Sequence, residues 1–184
     1  MARLRRWKRL DVPGIETFRE DGRSFEGVVR VEAPPAWEAS YRVLFDDSWT
    51  TVAAEASVRD ADRNRPLGLR REPSGRWFDG EREIESCRGA LDIDLGLTPS
   101  TNTSAIRRLG LVVGGRAELT AAWVRFPQLT VEPLRQRYTR LAAREYLYES
   151  LRDGQVGFRA RLEVDVSDLV IRYQGLFERI DRPD

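Results

Sequence analysis

The chain has 184 residues, 41% of them hydrophobic and 33% charged, with a formal net charge of +1, no histidine and one cysteine. That length implies one domain with a core large enough to fold without a disulfide or a metal. Near-neutral charge excludes a basic field for nucleic acid, the missing histidines exclude Ser-His-Asp and Cys-His nucleophiles and histidine-bound metals, and Cys87 alone excludes an internal disulfide or a thiolate cage.

The chain begins MARLRRWKRL. Arg3, Arg5, Arg6, Lys8 and Arg9 form a basic leader; without these five cations the formal charge falls from +1 to −4. The leader runs into Asp11 and Pro13 rather than an apolar segment, so no signal peptide is expected. Residues 1–10 read as a solvated basic arm on a single domain spanning 1–184. Lys8 is the sole lysine, which leaves little room for Schiff-base chemistry, and the P-loop pattern is absent. A single cysteine and the lack of any apolar run of about 18 residues point to a cytoplasmic protein with no transmembrane segment. Glu16, on the first predicted strand, reads as an exposed charge.

Gly-containing turns follow at short intervals: EDGR (20–23), PSGR (73–76), FDGE (78–81), VGGR (113–116) and RDGQ (152–155). They read as hairpin reversals. Between them the chain alternates with period two. Tyr41, Val43 and Phe45 share a face of YRVLF, while Phe158, Ala160, Leu162 and Val164 oppose Arg159, Arg161, Glu163 and Asp165. Such short strands and tight turns predict an antiparallel sheet without βαβ units. The stretch 133–154 has helix-forming composition, but the alternation of Gln136, Tyr138 and Arg140, and later of Arg144, Tyr146 and Tyr148, favours strand.

The least ordinary stretch is LDIDLGLTPSTNTSAIRRL (91–109). As a strand, LDIDL puts Leu91, Ile93 and Leu95 on the core side and Asp92 and Asp94 on the other, about 7 Å apart. TPSTNT reads as an irregular loop, because Pro99 removes a donor and Asn102 suits a turn. Arg107 and Arg108 follow. One reading is an ion pair beside a self-satisfied loop. The other is a polar site for a hydroxyl-rich ligand, with Asp and Asn on hydroxyls and an Arg fork on an anion. The aspartate spacing falls within the range of about 5 to 9.5 Å used in glycoside hydrolysis. Two aspartates on one strand face beside arginines are both expected to stay ionised, which argues for binding over acid–base catalysis. Most of the tryptophans and tyrosines read as core, with Tyr138, Tyr146 and Tyr148 available as a wall for a lipid or sugar.

That stretch, together with RRWKRLDVPGIETF, YRVLFDDSWTT, QRYTRL…EYLYES and VDVSDLVIRYQGLFER, resembles the bacterial family named "putative glycolipid-binding protein" from about Trp7 to Arg179. The resemblance implies a mainly β fold with few short helices. Its expected form is a single strongly curved antiparallel sheet, a half-barrel or β-roll like that of bacterial lipoprotein carriers, around an apolar-lined concavity. It also implies that Asp92, Asp94, Thr98, Thr101, Asn102, Thr103, Arg107, Arg108, Gln136, Arg137 and Tyr138 belong to a shared cluster. Ser100 departs from the bulkier residue usual there. The expectation is a non-catalytic protein holding a glycolipid or other amphiphile in the concavity. The polar rim would comprise Asp92, Asp94, Thr101, Asn102, Arg107, Arg108, Gln136, Tyr138, Tyr146 and Tyr148. No cofactor, metal or nucleic acid is expected. A carboxylate-based hydrolase and an interaction module without a small ligand are the alternatives.

Overall fold

The computed structural model describes residues 4–181. Fifteen strands join in one sheet that curves strongly without closing into a barrel. Strands β2 (Gly14–Asp21), β3 (Ser24–Val31), β4 (Trp37–Phe45), β5 (Thr51–Arg59), β6 (Asn64–Arg71), β7 (Trp77–Asp79) and β8 (Arg82–Glu83) run outward from β1 (Leu4–Arg9) as an antiparallel meander. On the other side of β1 lie β15 (Phe177–Arg179), β14 (Val170–Tyr173), β13 (Gln155–Val164), β12 (Glu145–Arg152), β11 (Thr130–Ala142), β10 (Arg116–Arg125) and β9 (Asp92–Leu95). The mainly β, curved antiparallel architecture expected from the sequence is therefore the observed one. Bulges in four of the strand pairs help it bend, and both edge strands are short, which limits edge-to-edge pairing.

Four expectations are corrected. From Leu4 onward the basic leader is not an arm but β1, in the middle of the sheet. Trp7 is fully buried and donates its indole N–H to Val170 O at 2.8 Å; Lys8 points outward to Glu178, while Arg9, on the same side as Trp7, lies over the Phe177 ring and pairs with Asp11. Met1 to Arg3, also assigned to that arm, lie outside the described residues. TPSTNT is not wholly irregular: α1 runs from Ser100 to Leu109. Pro99 stands just before the first turn, where its missing N–H costs nothing, and the Thr98 hydroxyl accepts from Ser100 N–H at 3.0 Å. Gly110, at φ 54°, ends the helix in the left-handed conformation. Because α1 connects β9 to β10, which pair in parallel, the chain does contain one βαβ unit, and VGGR is its return loop rather than a hairpin. Finally, Leu91 is exposed and Asp92 is buried, so the predicted sidedness of LDIDL fails at its first two residues.

The stretch 133–154 does form strand, ending β11 and supplying β12. Buried Tyr41, Val43 and Phe45, and Ala160, Leu162 and Val164, obey the predicted alternation. Two aromatic ladders fill the interior. Trp7, Phe18, Phe25 and Phe45 meet edge-to-face at 4.9–5.2 Å between centroids, and Tyr138, Tyr148, Tyr173 and Phe177 form a second run at 5.3–6.1 Å. Helix α1 is buried from Ser100 to Ile106 and links to both halves of the sheet through side-chain hydrogen bonds.

Candidate functional site

The N-terminal end of α1 meets β9 and β11, and there the sequence cluster divides into two sets. Asn102 Nδ2 donates to Tyr138 Oη at 2.8 Å, and Tyr138 Oη donates to Gln136 Oε1 at 3.4 Å. Gln136 Nε2 then donates to Asp94 Oδ2 at 2.5 Å. This directed chain fixes each amide and holds Asp94 and Asn102 in place through two buried intermediaries. Both end residues line a pocket of about 250 Å³. Its other walls are Gly96, Thr98, Trp123, Leu134, Tyr148, Ser150, Arg152, Phe158, Tyr173, Leu176 and Phe177. Gly96 is needed for this shape: a Cβ there would lie 2.8 Å from Trp123 Nε1.

The second set makes ion pairs instead. Arg108 forks onto Asp92 at 2.8 and 2.6 Å. Arg107 pairs with Glu20, donates to Ser167 O and lies 4.4 Å over the Trp49 ring, whose other neighbour is Arg23 at 4.3 Å. Thr101 accepts a hydrogen bond from Leu95 N–H. Tyr146 is buried against Arg140, and neither lines the pocket. Of the ten residues predicted at one rim, Asp94, Asn102 and Tyr148 therefore line the pocket, Gln136 and Tyr138 stand directly behind, and Asp92, Thr101, Arg107, Arg108 and Tyr146 bind other parts of the framework.

The electrostatics separate the two aspartates. Asp94 accepts from Gln136 and lines the pocket; burial pushes its pKa from 3.8 to about 6 against the pull of that hydrogen bond. This overturns the expectation that it stays ionised well below neutrality. Burial also raises the pKa of Asp92, but there the Arg108 guanidinium opposes it.

Sequence reasoning missed Glu16. It is fully buried, and its Oε1 accepts from Tyr41 Oη at 2.5 Å and Thr98 Oγ1 at 2.7 Å, while Oε2 has no hydrogen-bond partner among the described residues. Burial lifts its pKa from 4.5 to about 7 against the pull of those two hydroxyls. Ser100, which departs from the expected family pattern, lies 2.9 Å from Tyr41 Oη and completes the cluster. Thr98 belongs to both sites, since it lines the pocket and donates to Glu16. The one sequence signal was the position of Glu16 on an alternating strand, on the same side as the apolar Phe18.

A larger concavity of about 810 Å³ lies on the solvent side of β1–β6. On its wall Arg19 and Arg42 both contact Glu26 and Ser40 meets Ser57, while Glu55 has no side-chain partner among the described residues.

The sequence model of the family described as "Putative glycolipid-binding" matches residues 5–179. The chain belongs to this family. A crystal structure of a DUF1089 family protein from Pseudomonas aeruginosa is similar to this glycolipid-binding family member at a TM-score of 0.84 and 37% identity, covering 91% of this chain and 92% of that one. No curated protein matches the chain. Among the described residues of this family member, no group of three or more His, Cys, Asp or Glu side chains could hold a metal ion, and no helix is long and apolar enough to cross a membrane.

Proposed function

We propose that the protein binds the sugar or another hydroxyl-rich headgroup of an amphiphile in the 250 Å³ pocket, without transforming it. The observation that carries this reading is the relay that holds Asp94 and Asn102 on the wall of a cavity lined by five aromatic side chains. A carboxylate and an amide accept from and donate to vicinal hydroxyls, while Trp123 and Tyr148 supply apolar surface for a ring's C–H face. The family description, glycolipid binding, agrees with that chemistry. Cytoplasmic residence and a single-domain chain remain parts of this proposal.

The interior is packed with the protein's own aromatic side chains and α1, so a carrier that encloses a whole lipid in the concavity is not the form we propose. One feature favours the hydrolase alternative: burial raises the Asp94 pKa to about 6, within reach of a general acid's range. It is, however, the only carboxylate among the lining residues, whereas glycoside hydrolysis ordinarily uses two. Calorimetric titration with methyl and octyl glycosides tests binding. Saturable binding abolished by Asp94→Ala with the fold retained supports the reading; unaltered binding in that variant sinks it. Turnover of chromogenic glycosides, lost in Asp94→Asn, would instead establish the hydrolase.

A further inference from the structure

We infer that the mouth of this pocket docks on a lipid bilayer, and that the headgroup is gripped there while its hydrocarbon tail stays in the membrane. This rests on the headgroup reading above.

The size of the pocket is the first ground. Sites that enclose a whole drug-sized ligand run to about 300–1,000 Å³; this one holds about 250 Å³, enough for a compact head but not a diacyl tail. The second ground is closure. Behind the walls stand Tyr138, Ile93 and Leu95, each at most 1% exposed, so no channel leads a chain inward. The tail must leave through the mouth.

Apolar side chains are exposed at the mouth. Phe158, on the pocket wall, is 39% exposed. Leu10, 44% exposed, donates its backbone N–H to Leu176 O at 2.8 Å, and Leu176 also lines the pocket. Arg152, on the same wall, is exposed and has no ion-pair or hydrogen-bonding partner among the described residues, which leaves its guanidinium available to a lipid phosphate. Exposed apolar side chains around a headgroup-sized cavity, with a free arginine, fit a membrane interface. Val112 and Val113 are more exposed, at 75% and 58%, but follow the far end of α1 and line neither cavity, so they serve as the control.

The test is flotation with vesicles of phosphatidylcholine and phosphatidylglycerol carrying a monoglycosyl diacylglycerol. Water-soluble methyl glycosides are titrated in parallel. The native protein floats, and Leu10→Asp, outside the pocket lining, lowers the bound fraction about fivefold or more while methyl glycoside affinity stays within about twofold. Val112→Asp/Val113→Asp floats as the native protein does. The inference is overturned if the native protein stays unbound or if the rim variant floats equally well. It is also overturned if the native protein leaves the vesicles as a soluble one-to-one complex with the lipid, since the tail would then be enclosed. Absence of methyl glycoside binding in every form removes the headgroup reading itself, and this inference with it.

Discussion

Replacing Glu16 by Gln isolates the cost of a buried charge. The amide keeps an oxygen to accept from the Tyr41 and Thr98 hydroxyls but cannot ionise. In the native protein the folded state holds the Glu16 proton up to about pH 7, whereas the unfolded chain gives it up near 4.5. Between those values the folded form binds more protons, so stability is greatest below the lower value and declines as pH rises through the higher one. At roughly 1.36 kcal/mol per pH unit, this group lowers stability by about 3 kcal/mol across the window. Urea unfolding of both proteins at about pH 5 and about pH 8 measures it. Whatever the amide costs by itself cancels when the two pH values are compared. The expected result is that Glu16→Gln improves relative to the native protein by about 2–3 kcal/mol between them, since part of the effect is already present at about pH 5. A difference between the two proteins that is the same at both pH values would refute the claim that Glu16 is buried and titrates near neutrality.

Asp94 should give glycoside binding an acid limb: affinity falls as pH drops through about 6, where the carboxylate acceptor is protonated, and titration calorimetry should show that limb missing in Asp94→Asn. Arg108→Ala leaves Asp92, only 2% exposed, without its fork and should cost about 3 kcal/mol in urea unfolding, with glycoside affinity per folded molecule unchanged. Gly96→Ala brings a methyl group to 2.8 Å from Trp123 Nε1; the indole must shift, altering tryptophan fluorescence and weakening glycoside binding at a stability cost of about 1–3 kcal/mol.

Periodicity set the faces of several strands with a uniformly apolar side correctly, though LDIDL failed at Leu91 and Asp92. Tyr41, Val43 and Phe45 are buried as the alternation required, and 133–154 is strand despite its helix-forming composition, because its tyrosines recur every second residue. The unusual composition of 91–109 also marked the pocket's main polar residues, Asp94 and Asn102, before any coordinates. Periodicity says which way a side chain points but not what stands opposite. Asp92 and Asp94 look equivalent in sequence; the first meets an arginine on α1 and the second a glutamine on β11. Nor can local pattern show that the basic leader becomes a central strand, since its neighbour β15 lies at the other end of the chain. Glu16 is the sharpest case, with partners 25 and 82 residues away. The sequence by itself determined a β protein with a polar cluster of defined membership. Tertiary structure alone decided which members ion-pair, which face a cavity and which carboxyls lose their water, because each outcome depends on distant strands brought together by the bend of the sheet.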